Sequence, residues 1–69
     1  MNNLYASVYY NKGVSLSNQG KYDEAIAAYE KAIEINPKYA DAYNNKGICL
    51  DDQGKYDEAI AAYEKAIEI

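Results

Sequence analysis

The sequence predicts an all-α protein made of two copies of one helical hairpin in series. Three observations carry this expectation. The stretch from Gly20 to Ile35 returns letter for letter as Gly54 to Ile69, an offset of 34 residues, and self-similarity at such a period marks a stacked repeat architecture. Apolar residues recur at three- and four-residue intervals, the spacing of one helix face. Gly20, Gly54 and Pro37 fall where those stripes pause.

The elements follow in chain order. A first helix is expected from Leu4 to Asn18, with Asn2 or Asn3 able to cap it through a side-chain oxygen. Tyr5, Val8, Tyr9, Lys12, Gly13 and Leu16 share one of its faces by spacing. Gly20 ends it, because helices commonly finish on a glycine in the left-handed region. A second helix is expected from Tyr22 to Ile35, with an apolar stripe of Tyr22, Ala25, Ile26, Tyr29, Ala32 and Ile33. Asp23 and Glu24 sit in its first turn, where carboxylates favour the positive end of the helix dipole. Asn36-Pro37 stops it, since the residue before proline is disfavoured in the helical region. The third helix, Tyr39 to Asp52, copies the first, and the fourth, Tyr56 to Ile69, copies the second. Turns of about three residues at Gly20 and Gly54 make each pair antiparallel.

Gly13 and Gly47 lie inside helices, where glycine costs about 1 kcal/mol relative to alanine. Close approach of a neighbouring helix is the expected return. Ala25, Ala32, Ala59 and Ala66 serve the same end on the second helix of each pair, and the tyrosines fill the space left between small residues. Glu30 and Glu34 reinforce nothing alone, so packing rather than helix-face ion pairs is expected to hold the fold.

Tyr9-x-x-Lys12-Gly13-x-x-Leu16, then Ala25-x-x-x-Tyr29, Ala32 and Pro37, resembles the tetratricopeptide repeat. Tyr43-x-x-Lys46-Gly47-x-x-Leu50 with Ala59, Tyr63 and Ala66 is the second copy. The resemblance implies a right-handed α-α superhelix of two helix-turn-helix hairpins. It makes residues 1–69 a single domain, with repeat one at about 6–39 and repeat two at about 40–69. Three departures stand out. Tyr replaces the usual Trp and Phe, and Lys12 and Lys46 replace a usual Leu, their stems packing while the amines reach water. The sequence also stops at Ile69, before a second Asn-Pro and before the polar capping helix such arrays often carry.

The same resemblance implies a non-catalytic scaffold for protein–protein interaction that binds a peptide in a concave groove lined by the first helix of each pair. Its lining would comprise Ser7, Tyr10, Asn11, Val14, Ser17 and Asn18 from one repeat, and Asp41, Asn44, Asn45, Ile48, Asp51 and Asp52 from the other. Tyr10, Asn11, Val14, Ser17, Asn44, Asn45, Ile48 and Asp51 are the chosen candidates, with asparagine able both to donate to and to accept from a peptide backbone. The alternative is plain exposed polar surface. Chaperone-tail recognition is not expected. The family's Lys–Asn clamp falls on Tyr10 and Val14, which cannot perform it; only Asn45 matches a clamp residue, and the third repeat of the clamp is missing.

Composition excludes other classes. The chain has 11 Asp and Glu against 7 Lys and Arg, for a net charge of −4, and its lysines sit singly beside carboxylates rather than in the basic patch that nucleic acid requires. No apolar run approaches the ~20 residues of a membrane span, and the first five residues form no secretion signal. A soluble cytoplasmic protein is the expectation. With no histidine and one cysteine there is no internal disulfide, no zinc set and no nucleophile–base pair, so neither enzyme activity nor any metal or other cofactor is expected. Cys49 takes the place of Ser15 and reads as a small buried filler. Asp41, Asp51 and Asp52 could attract a cation but read as solvated surface.

Sixty-nine residues build a marginal core, worth about 3–5 kcal/mol without a staple, and repeat arrays generally need about three units. On the last helix Tyr56, Ile60, Tyr63, Ile67 and Ile69 would be left for a second copy to cover, so a homo-oligomer through the uncapped C-terminal helix is expected, closed or head-to-tail. The runner-up function is therefore a self-assembling structural repeat, a fragment or engineered piece of a longer array with no dedicated ligand.

Overall fold

The computed structural model describes residues 4–69, so the proposed caps Asn2 and Asn3 lie outside the described residues. Four helices follow one another: α1 Leu4–Asn18, α2 Tyr22–Ile35, α3 Ala40–Asp52 and α4 Tyr56–Glu68. No strand occurs among the described residues.

Both hairpin turns close in the same way. Gly20 and Gly54 adopt φ of +76° and +79°, the left-handed region that only glycine enters at little steric cost. Lys21 N–H then reaches back to the Leu16 carbonyl at 2.9 Å and Gly20 N–H to that of Ser17 at 2.9 Å, and Lys55 and Gly54 repeat both bonds on Leu50 and Asp51. This is a Schellman closure, which satisfies carbonyls that the helix end leaves free. Between the hairpins, Asn36 leaves the helix with φ −129° and ψ 92°, as a residue before proline should. Its side-chain oxygen accepts the Lys38 N–H at 3.2 Å. Tyr39, at φ −86° and ψ 83°, holds the N-cap position of α3 without a side-chain cap bond, and α3 starts one residue later than the sequence suggests.

The two helices of each repeat pack on each other, α2 then packs on α3, α1 touches α3 lightly, and α4 packs on α3, with Ile26 of α2 reaching the cluster they share. The result is a slab of 35 × 28 × 13 Å. In so thin a body few side chains escape water: among the described residues the largest fully buried ones are Tyr29 and Cys49. Glycine is required where the helices meet. A Cβ on Gly13 would stand 2.5 Å from Tyr29 Cε1, and one on Gly47 would stand 2.6 Å from Tyr63 Cε1. Ala25, Ala32 and Ala59 are buried as expected, whereas Ala66 is only half-buried.

Three expectations change. Tyr5 and Val8 share a face with Gly13 by spacing, yet they are 70 % and 55 % exposed, because they turn to a side of α1 that neither α2 nor α3 covers. Glu30 does have a partner: it accepts from Lys46 at 3.0 Å across the repeat boundary. The Lys46 amine is thus tied to repeat one rather than free in water, while Lys12, its counterpart, is exposed.

Candidate functional site

The candidate face lies on α1 and α3, and the structure divides its residues into two groups. Tyr10, Val14 and Ser17, one turn apart along α1, are half-buried and turned toward α3. Asn45 Nδ2 donates to Tyr10 Oη at 3.0 Å and, at a longer 3.5 Å, to Tyr29 Oη. Tyr39 stacks on Tyr10 with ring centroids 5.1 Å apart, and Tyr29 meets it tilted at 5.8 Å. Cys49 Sγ donates to Ser17 Oγ at 3.6 Å. These residues are joined by the seam between the repeats.

The second group is open. Asn11, Asn44, Ile48 and Asp51 are exposed, and Ile48 keeps 43 % of its surface in water. Asn44, Ile48 and Asp51 recur at the spacing of one helix ridge, and they occupy in repeat two the places of Tyr10, Val14 and Ser17. They are open because, among the described residues, no further helix follows on that side of α3. Tyr63 Oη donates to Asp51 Oδ2 at 3.1 Å, which orients the carboxylate.

The titrating groups of the seam are shifted by burial. Loss of water raises the Tyr29 phenol above its ordinary value, partly opposed by the Asn45 bond. Burial likewise raises the Cys49 thiol, against the Ser17 bond, so Cys49 is held as a neutral thiol and is no nucleophile. Among the described residues no group of three or more Cys, Asp or Glu gathers as a metal set would.

Sequence reasoning missed two clefts, one per repeat, at equivalent positions. In repeat one Tyr9, Lys12, Leu16 and Ala28 line a space of about 270 Å³. In repeat two Tyr43, Lys46, Leu50 and Ala62 line one of about 380 Å³. The second runs beside α2: Ile26 packs against Leu50, Ala59 and Ala62, and Glu30 pairs with Lys46 at its edge. The first, between α1 and α2, has no preceding helix along its edge among the described residues. The signal was present in the sequence as two small-residue helix faces with the same lysine, and the packing of α2 shows what lies along the edge of such a face.

The α4 residues expected to be exposed are largely so. Tyr56 is 62 % exposed, Ile60 52 %, Ile67 82 % and Ile69 47 %, with Tyr63 half-buried. No helix of the described residues is long and apolar enough to cross a membrane.

Comparison with known proteins agrees with the geometry. The family model described as tetratricopeptide repeat matches residues 4–69. Two crystal structures of MamA superpose with TM-scores of 0.91 and 0.90 at 40 % identity, each over 97 % of this chain. A MamA point variant superposes with a TM-score of 0.89 at 28 % identity over 91 % of this chain. The chain spans 39 %, 37 % and 46 % of the lengths of those three proteins. Comparison with curated protein sequences gives no match. With its hairpins, its glycine–tyrosine contacts and its period accounted for, the chain belongs to the tetratricopeptide repeat family, whose members are generally non-catalytic protein-interaction scaffolds.

Proposed function

We propose that the chain captures a peptide segment of a partner protein on the α1–α3 face. The observation that carries this reading is the open ridge of Asn44, Ile48 and Asp51 on α3. It offers amide donors and acceptors for a peptide backbone, an apolar side chain to cover and a carboxylate for a basic residue. Tyr10, Val14, Ser17 and Asn45 form the half-buried floor that holds this ridge in place. A cytoplasmic location belongs to the same reading, supported by composition and by Cys49 as an unpaired thiol.

The test uses peptides selected from a random library on the 69-residue protein. Changing Asn44→Ala with Ile48→Glu should weaken the selected peptides at least tenfold and leave the helical melting curve unchanged, because both residues are exposed. Equal binding to the variant would remove the reading. Tyr10 and Asn45 are unsuited to this test, since their bond ties the two repeats together.

A second reading, self-association through α4, is favoured by the exposed apolar row of Tyr56, Ile60 and Ile67. Burying one such side chain contributes about 1.5–3 kcal/mol.

A further inference from the structure

Resting on the self-association reading, we infer the geometry of that association. The α4 of one copy docks on α1 of the next, beside the repeat-one cleft, in the register by which α2 docks on α3. The chain contains its own template for this joint. Ile26 of α2 packs against Leu50, Ala59 and Ala62 of repeat two. Ile60 is the same position in an identical helix, and Leu16, Ala25 and Ala28 are the same positions in repeat one.

Burial differs on both sides in the direction this requires. Along α2 the docked stripe Tyr22, Ile26, Tyr29, Ile33 is half-buried or buried, while the identical stripe of α4 is exposed apart from half-buried Tyr63. On the receiving side Ala42 and Cys49 are fully buried and Asn45 half-buried, while Val8, Ser15 and Asn11 at the same places in α1 are exposed.

Polar groups repeat as well. The internal joint holds Lys46 on Glu30 at 3.0 Å and Gln53 on Asp23 at 2.7 Å. The counterparts are Lys12 with Glu64 and Gln19 with Asp57. Each pair would meet between copies with the right sign, and among the described residues none of these four side chains has an ion pair or side-chain hydrogen bond. Ser15, standing at the place of Cys49, would meet Asp51 at the place of Ser17. Two places differ in bulk: Val8 stands where Ala42 is fully buried, so the seam must open by two methyl groups there, and Asn44 stands where Tyr10 packs on Tyr39. Donor and acceptor faces are different surfaces of the chain, so the contact is heterologous and the assembly open-ended.

Sedimentation velocity on the 69-residue chain tests this. Ser15→Arg blocks the receiving face and Ile60→Lys blocks the docking face, and both residues are exposed in the single chain. The wild type should grow in mass with concentration past the dimer. Each variant alone should stay monomeric, with its dissociation constant raised at least tenfold, and an equimolar mixture should give one species of twice the monomer mass. A Ser15→Arg variant that still assembles, or a mixture that stays monomeric, overturns the register while leaving self-association standing. A wild type that is monomeric at every concentration overturns both. Circular dichroism checks that each variant is folded; should either be unfolded, Val8→Lys and Ile67→Lys replace them and read the same outcomes.

Discussion

Tyr29 sits where three helices meet, and its environment makes the native state sensitive to alkali. Burial raises its phenol above the ordinary value, and burial raises the Cys49 thiol beside it. Both groups are neutral in the native protein, and both ionise more readily once unfolded. Their contribution is therefore complete below the ordinary thiol and phenol ranges, about 8.5 and 10, and is lost as pH rises through the raised native values. Urea midpoints measured from pH 7 to 11 should fall on the alkaline side, and Tyr29→Phe should flatten that fall. A second prediction concerns the glycine facing the same ring. Gly13→Ala gains about 1 kcal/mol of helix propensity but places a methyl group 2.5 Å from Tyr29 Cε1, and overpacking of that kind costs about 1–3 kcal/mol. The Tyr29 ring is fully enclosed and cannot retreat, whereas Tyr63 is half-buried and can swing from Gly47. Thermal melts should show a larger loss for Gly13→Ala than for Gly47→Ala.

The helices end where local chemistry stops them, and this level was legible in the sequence. Gly20 and Gly54 at positive φ and the Asn36-Pro37 step give boundaries within a residue of those expected. Gly20→Ala should cost about 1–2 kcal/mol from the left-handed backbone alone, because nothing lies within 4 Å of the added Cβ. Gly20→Asn should recover part of the loss in the same urea titration, since asparagine tolerates that region. Which faces are covered was less legible, and Tyr5 and Val8 show why. Periodicity tells which side chains share a face but not whether a helix lies over it. The same limit applies at the candidate site. Tyr10 and Asn44 occupy equivalent positions, yet Tyr10 is packed among Tyr29, Tyr39 and Asn45 while Asn44 faces solvent. Only the presence of α3 on that side of α1, and of no later helix on the same side of α3 among the described residues, separates them. The Lys46–Glu30 pair was hidden for a related reason: its partners lie in different repeats, and helix-face spacing rules compare residues within one helix.

For the molecule as a whole, stability resides in neighbour contacts of a quasi-one-dimensional stack. Among the described residues two hairpins have one such joint, centred on α2 and α3, and no helix covers the exposed stripe of α4. Adding a unit adds a joint without changing the existing one. A variant extended past Ile69 by Asn-Pro and a further copy of residues 38–69 should therefore exceed the parent in urea midpoint, because the docked stripe of the present α4 becomes internal. Its own last helix would carry the same apolar row, so it should still associate. An extension that instead ends in one helix with an apolar inner face and a charged outer face should raise the midpoint and also make the melting temperature independent of protein concentration. The parent chain's melting temperature should rise with concentration, because assembly is linked to folding by mass action. Melting curves of the parent and the two extensions across a hundredfold dilution separate these contributions. The added joint appears as a midpoint shift at every concentration. Contact between copies appears as a slope that only the charged cap removes. A capped variant whose melting temperature still climbs with concentration would mean that copies meet through some surface other than α4.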